Sequence, residues 1–167
     1  MTWAAVAILA WVTLQRLGEL WLSNRNMRWL IARGGREVGS SHYPALVAVH
    51  VLWLGALWWL APGRPLHLLL LALYVLLQVG RAWSIATLGR RWTTRIIVLP
   101  HAPLVKSGPY RFVDHPNYVV VSLEIAVLPL VFGLIELALI FTLLNAAVLA
   151  VRIRSEEKAL APARRPD

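Results

Sequence analysis

His101-Ala-Pro-Leu-Val-Lys-Ser-Gly-Pro-Tyr-Arg-Phe-Val-Asp-His-Pro-Asn-Tyr118 is the one long polar, turn-rich stretch in the second half of an otherwise apolar sequence. Pro103, Gly108, Pro109 and Pro116 interrupt it, so it cannot run as a single helix. It carries two histidines, two tyrosines, Lys106 and Arg111, with Arg95 close upstream. A polar loop held between apolar helices is a place where a membrane protein can hold a polar ligand.

Working outward, the 167 residues are 59% hydrophobic and only 15% charged, with nine tryptophans. That composition points to a single-domain, all-α integral membrane protein rather than a soluble domain. Apolar runs predict about five transmembrane helices over 2–22, 43–61, 66–88, 118–135 and 137–152, each of a length to approach a bilayer core of about 30 Å. The last two are joined at Gly133 to Glu136, a connection short enough for an antiparallel helical hairpin. Met27 to Ala32 reads as a short interfacial helix inside a polar 23–42 loop, broken by Gly34-Gly35 and Gly39. Pro162 and Pro166 are expected to end any continuation of the fifth helix.

The net charge of +9 sits in loops between apolar runs, which fits membrane topology rather than nucleic-acid binding. Loop 23–42 has four Lys/Arg, loop 89–117 has five and the segment from Arg152 has five, whereas the turn at 62–65 has one. The basic segments are therefore expected on the cytoplasmic side, with the N-terminus outside and the C-terminus cytoplasmic. The first apolar run lacks a basic leader and a small-residue cleavage site, so it is not read as a signal peptide.

Several polar residues fall inside the apolar runs. Arg16 and Glu19, three apart, share a helical face; they form an interfacial ion pair, or Arg16 faces a substrate headgroup. Gln78, Arg81 and Ser84 also share a face. Arg81 either snorkels to the near interface or belongs to a functional site. His50 is a core hydrogen-bonding residue or part of a pocket, His42 sits at the mouth of the second span, and Glu124 is expected to pair with a basic or polar group. Asp114 or a following polar residue is expected to cap the fourth helix, with Pro116 in its first turn. Arg152, Glu156 and Leu160 recur every four residues and share a face if the fifth helix continues.

No cysteine, HExxH, GxSxG, GxGxxG or Walker motif occurs. Cysteine chemistry is excluded, and no metal site, serine hydrolase, Rossmann site or P-loop is indicated. What remains is a polar loop, 89–117, facing a charged tail, 152–160. Together they suit a small cofactor with both positive and negative parts.

The pattern HxPLVxxGPYRxxxHPNY, followed by a helical hairpin and RxxxEE, resembles the isoprenylcysteine carboxyl methyltransferases. Gln15-Arg16, Glu19-Leu20, Arg25-Asn26, Glu37, Gly39, His42-Tyr43, Gly89, Trp92 and the Ile96–Pro100 run extend the likeness over nearly the whole chain. It is most similar to a short bacterial branch, some members of which O-methylate alkylpyrones or related phenolic lipids. The resemblance implies an integral enzyme of the bacterial cytoplasmic membrane. Its cofactor would be S-adenosylmethionine, and its acceptor a carboxylate, acidic enol or phenol on a lipophilic substrate such as an alkylpyrone or a prenylcysteine-like lipid. By motif position it implicates His101, Leu104, Val105, Gly108, Tyr110, His115, Pro116, Asn117, Tyr118 and Glu157 in cofactor binding. Arg152 and Glu156 become the catalytic pair, and Arg16, Arg81, Trp92 and Arg95 candidates for substrate binding. Family members usually carry arginine before the His-Pro, where this chain has Asp114, so any such role falls to Arg111, Arg95 or Arg152. The partners expected are a lipophilic small molecule and membrane lipids, with oligomeric state open. Two other classes stay open: a nicotinamide-dependent membrane reductase of related fold, and a small non-enzymatic transporter.

Overall fold

In the computed structural model, which describes residues 2–100 and 102–164, five helices are joined by turns and one small sheet. Helix α1 spans Thr2–Ile31, α2 Tyr43–Leu60, α3 Leu68–Leu88, α4 Pro116–Val131 and α5 Ile135–Arg164. Strands β1 (Arg36–Val38) and β2 (Ile96–Val98) pair antiparallel, with Glu37 opposite Ile97. The second and third spans match the sequence reading closely, because Ala61 and Pro62-Gly63 close one apolar run and Gly89 the other.

Elsewhere the structure corrects the expectation. The first helix does not stop at residue 22, and Met27 to Ile31 continue it rather than forming a separate helix. No glycine or proline lies between Gly18 and Gly34, and the polar side chains of this segment find partners. Asn26 donates to the carbonyls of Gly89 and Trp92, and Ser23 bonds Thr94. The helix ends where the Gly34 and Gly35 amides bond the Ile31 and Leu30 carbonyls. The segments expected to be plain loop at 36–38 and 96–98 are the two strands, the second a β-branched Ile-Ile-Val run. The last helix passes Pro162 instead of ending there, continuing to Arg164 at the loss of one backbone hydrogen bond in its last turn. Pro166 lies outside the described residues.

Helix α4 has 16 residues, about 24 Å. Four helices, α1, α2, α3 and α5, are long and apolar enough to cross a membrane, and α4 is the short one. Pro116 fixes its first turn, and a turn at Phe132-Gly133 ends it, with Gly133 at φ 69° and the Leu134 amide bonding the Pro129 carbonyl. The expected hairpin into α5 follows directly.

Packing is arranged around α4. Val121, Ile125, Leu128 and Val131 are buried, against Leu9 and Val12 of α1, Trp53 and Leu57 of α2 and Phe141 of α5 in one cluster. Trp53 also donates to the Ile125 carbonyl. The outer faces carry Trp3, Leu14, Trp59, Leu69, Leu76 and Leu143, all strongly exposed. Apolar outer faces on four bilayer-length helices define an integral membrane protein.

Inside this bundle is a closed charge cluster. Arg16 pairs with Glu19 (3.2 Å) and Glu124 (2.6 Å). Arg81 pairs with Glu124 (3.0 Å) and, through two nitrogens, with Glu19. Gln78 donates to Glu124 and Gln15 to Gln78. The Arg16–Glu19 pair is thus tied to Glu124 and Arg81 rather than standing alone, and Arg81, 5% exposed, is held in this cluster instead of snorkelling. Two cations and two anions cancel, which is how a low-dielectric interior tolerates them.

Candidate active site

The turn-rich segment 102–118 folds as a strap across one end of the bundle. A 3₁₀ turn at Gly108–Arg111 lies on α3. Gly108 has φ 54°, and a Cβ there would stand 2.5 Å from Thr87 Oγ1 and 3.0 Å from Thr87 Cγ2. Glycine is needed both for the left-handed backbone and for the contact. Gly108→Ala is expected to cost about 2 kcal/mol or more, read as a lowered thermal midpoint of the purified protein. Upstream, Arg91 donates to the Pro103 carbonyl (2.6 Å), and Arg95 pairs with Glu37 (2.6 Å) above the Tyr43 ring. The hydrogen bond with Glu37 raises the Arg95 pKa further, so the guanidinium stays charged within this ion pair.

Beneath the strap is a polar cavity of about 200 Å³. Its walls include Trp92, Leu104, Val105, Tyr110, His115, Asn117 and Tyr118 from the loop and the start of α4. From α5 come Arg152, Glu156 and Leu160, the three residues spaced four apart. Pro116 is buried at the first position of α4, as expected, but the residue before it, His115, makes no side-chain cap, nor does Asp114 occupy the cap position. His115 instead stacks on Tyr118 with ring centroids 5.2 Å apart.

Tyr118 is the centre of the site. Its hydroxyl accepts a hydrogen bond from Arg152 Nε (2.9 Å) and donates to Glu156. Glu156 also lies 3.7 Å from His115 Nδ1. Burial, and then the negative charge of Glu156, push the Tyr110 phenol above its ordinary range, so it remains a neutral hydroxyl at physiological pH.

A second cavity, about 240 Å³ and mostly apolar, runs among α1, α2 and α5. Leu17, Leu46, Val47, Leu54 and Leu149 line it, with Arg16, Glu19 and Arg81 along one side. Four residues border both cavities: Thr93, Asn117, Tyr118 and Arg152. A polar chamber and a lipid-like chamber therefore meet at Arg152, which is 4% exposed. Among the described residues, its terminal nitrogens have no hydrogen-bond or ion-pair partner.

Most of the implicated residues come together on these walls. Four do not. Gly108 packs on Thr87 and Pro116 within the helix start, and Glu157 is half exposed, 3.9 Å from His115 Nε2. His101 lies outside the described residues. Trp92 and Arg95 border the polar chamber, whereas Arg16 and Arg81 border the apolar one. Thr93 and Asn145, for which no role was expected, both line the apolar chamber. Asn145 offered one signal, as a carboxamide in the middle of an apolar run.

The fold and the site together define a helical membrane protein in which a polar pocket meets an apolar cavity at Arg152. The description "isoprenylcysteine carboxyl methyltransferase (ICMT) family" matches residues 69–162, and the chain belongs to that family, a family of methyltransferases. It is 36% identical to the uncharacterized protein YpbQ of Bacillus subtilis over 96% of each chain. It is 29% identical to an uncharacterized protein of Haemophilus influenzae, over 87% of this chain and 88% of that one. No solved structure matches it.

Proposed function

We propose that the protein methylates an oxygen of a lipophilic acceptor, a carboxylate or an acidic enol or phenol, using S-adenosylmethionine at the cytoplasmic face of a bacterial inner membrane. The observation carrying this reading is the junction of the two chambers at Arg152 and Tyr118. An alkylpyrone or a prenylcysteine-like lipid satisfies its chemistry. The basic loops argue for a cytoplasmic chamber, an outside N-terminus and a cytoplasmic C-terminus.

The polar chamber offers polar groups that would fit this cofactor. Asn117 Oδ1 and His115 Nε2 are buried there with no hydrogen-bond partner, so the chamber is built to satisfy them with something else. Glu156 suits an ammonium or hydroxyl, Arg91, Lys106 and Arg95 suit a carboxylate, and Trp92, Leu104 and Val105 give apolar wall to a ring. S-adenosylmethionine supplies an activated methyl group when bound. The chain's own task is then alignment and exclusion of water.

Arg152 holds the acceptor oxygen with directional hydrogen bonds from its terminal nitrogens. Tyr118 fixes the guanidinium through Nε, and Glu156 fixes Tyr118 in turn. An acceptor already ionised at neutral pH needs no strong base, and a plain phenol would give its proton to Glu156 or His115. Arg152 serves best when its grip on the anion is moderate, because the charge disappears in the transfer.

Equilibrium binding of labelled S-adenosylmethionine to purified protein in lipid nanodiscs tests the cofactor assignment. Saturable binding is expected, weakened about tenfold or more in Glu156→Ala by the loss of a charge-assisted hydrogen bond. Folded protein that does not bind would overturn it.

A further inference from the structure

Helix α1 is longer than a bilayer core requires. Its 30 residues span about 45 Å, against a hydrocarbon core of about 30 Å. Residues 2–22 are its apolar part, so its last turns stand at headgroup level. There two tryptophans carry arginines on their rings. Arg25 lies 5.4 Å from the Trp21 centroid. Trp29 holds two cations: Arg33, one turn on, at 3.8 Å, and Arg90, from the turn that follows α3, at 5.5 Å. The Gly89–Arg91 turn is fixed in this place, because Asn26 of α1 donates to the Gly89 and Trp92 carbonyls (3.2 and 2.8 Å).

No described carboxylate balances these charges. Among the described residues, Arg33 bonds only the Trp29 carbonyl, at 3.4 Å, and Arg90 pairs with no acidic group. No Asp or Glu occurs from Leu20 to Arg36 or from Val79 to Arg95, and Glu37 is taken by Arg95. Basic residues gather at membrane faces on topological grounds alone, but topology asks for no shared partner. Here two guanidiniums from separate elements converge on one ring. The like charges stand no farther apart than the sum of their two centroid distances. A guanidinium C–N bond, an N–H···O of about 2.8 Å and a P–O bond on each side reach across that gap.

We propose that Arg33 and Arg90, held on the Trp29 ring, bind the phosphate of an anionic phospholipid. Its source is a lipid because the site stands at headgroup level on an integral membrane protein. A zwitterionic headgroup fits less well, since its ammonium would meet two guanidiniums and no carboxylate.

The test measures retention of radiolabelled dioctanoyl phosphatidylglycerol by the immobilised full chain in neutral detergent micelles, and its displacement by unlabelled compounds. Saturable retention is expected, with phosphatidylglycerol displacing the label at least about tenfold better than phosphatidylcholine of the same chain length. Inorganic phosphate should displace little. Arg33→Gln and Arg90→Gln should each weaken binding about tenfold, and Trp29→Leu should weaken it by releasing both guanidiniums. Arg154→Gln removes an exposed charge from α5 and should change binding less than about twofold. Arg33→Lys keeps the charge but loses the fork, so it should recover only part of the affinity. Wild-type thermal midpoints in phosphatidylcholine confirm that each variant is folded. Equal binding of the two lipids would overturn the site. Equal losses in the three glutamine variants would also overturn it, leaving only diffuse attraction to a basic face. Displacement by inorganic phosphate as effective as by phosphatidylglycerol would overturn the lipid source.

Discussion

Replacing Arg152 by alanine is expected to lower methyl transfer at least a hundredfold while changing S-adenosylmethionine binding by less than about threefold. The asymmetry follows from position. Arg152 borders both chambers, and its terminal nitrogens are unpaired among the described residues, so they are available to the acceptor. Removing an oriented group beside the reacting atoms typically costs about 2.7–4 kcal/mol of transition-state stabilisation, two to three orders of magnitude in rate. The cofactor keeps its other contacts on the loop. Arg152→Lys should recover little, since an ammonium cannot reproduce the planar fork that reaches Tyr118 and the acceptor together. Turnover with labelled cofactor and direct binding separate the two effects. Unchanged turnover in the alanine variant would remove Arg152 from the mechanism.

The second large effect concerns stability. Glu124 is fully buried and accepts hydrogen bonds from Arg16, Arg81 and Gln78. Glu124→Leu leaves two buried guanidiniums against the single charge of Glu19. Breaking a buried ion pair by removing one partner costs about 3–5 kcal/mol. The variant should therefore unfold at much lower temperature or fail to accumulate. Removing a cation as well, in Arg81→Met with Glu124→Leu, leaves the Arg16–Glu19 pair of neighbouring turns on α1 and restores neutrality. The double variant is expected to be more stable than Glu124→Leu alone. Thermal unfolding of the wild type, the two single variants and the double variant gives the coupling as a mutant cycle. Additive effects would mean that Arg81 and Glu124 do not interact as the structure has them.

The parts of the fold that were legible in the sequence are those set by local physics. Helices α2 and α3 could be bounded from their apolar runs and glycine or proline ends, and the α4–α5 hairpin from the short connection around Gly133. The far end of α1 could not. Residues 23–31 are polar enough to read as a loop, and their helix is supported by bonds from Ser23 and Asn26 to residues more than sixty positions away. The charge cluster divides in the same way. The Arg16–Glu19 spacing is a helical signal, but the links from Arg16 and Arg81 to Glu124 depend on how three helices pack. In the site, the four-residue spacing put Arg152, Glu156 and Leu160 on one wall. The motif resemblance drew attention to Tyr118 and Asn117. Nothing local marked Thr93, which reaches the junction because the sheet and Asn26 hold the chain beside it. Gly108 was legible as a turn residue, while its close contact with Thr87 is a tertiary fact.

The most direct measurement is transfer of a labelled methyl group from S-adenosylmethionine to lipid by the purified protein in nanodiscs. The acceptors offered should be an alkylpyrone, an alkylresorcinol and a prenylcysteine analogue. Labelled, lipid-extractable product is expected with at least one of these acceptors, and is expected to be lost in Arg152→Ala. Folded protein that binds neither S-adenosylmethionine nor any of the three, and labels none, would contradict it.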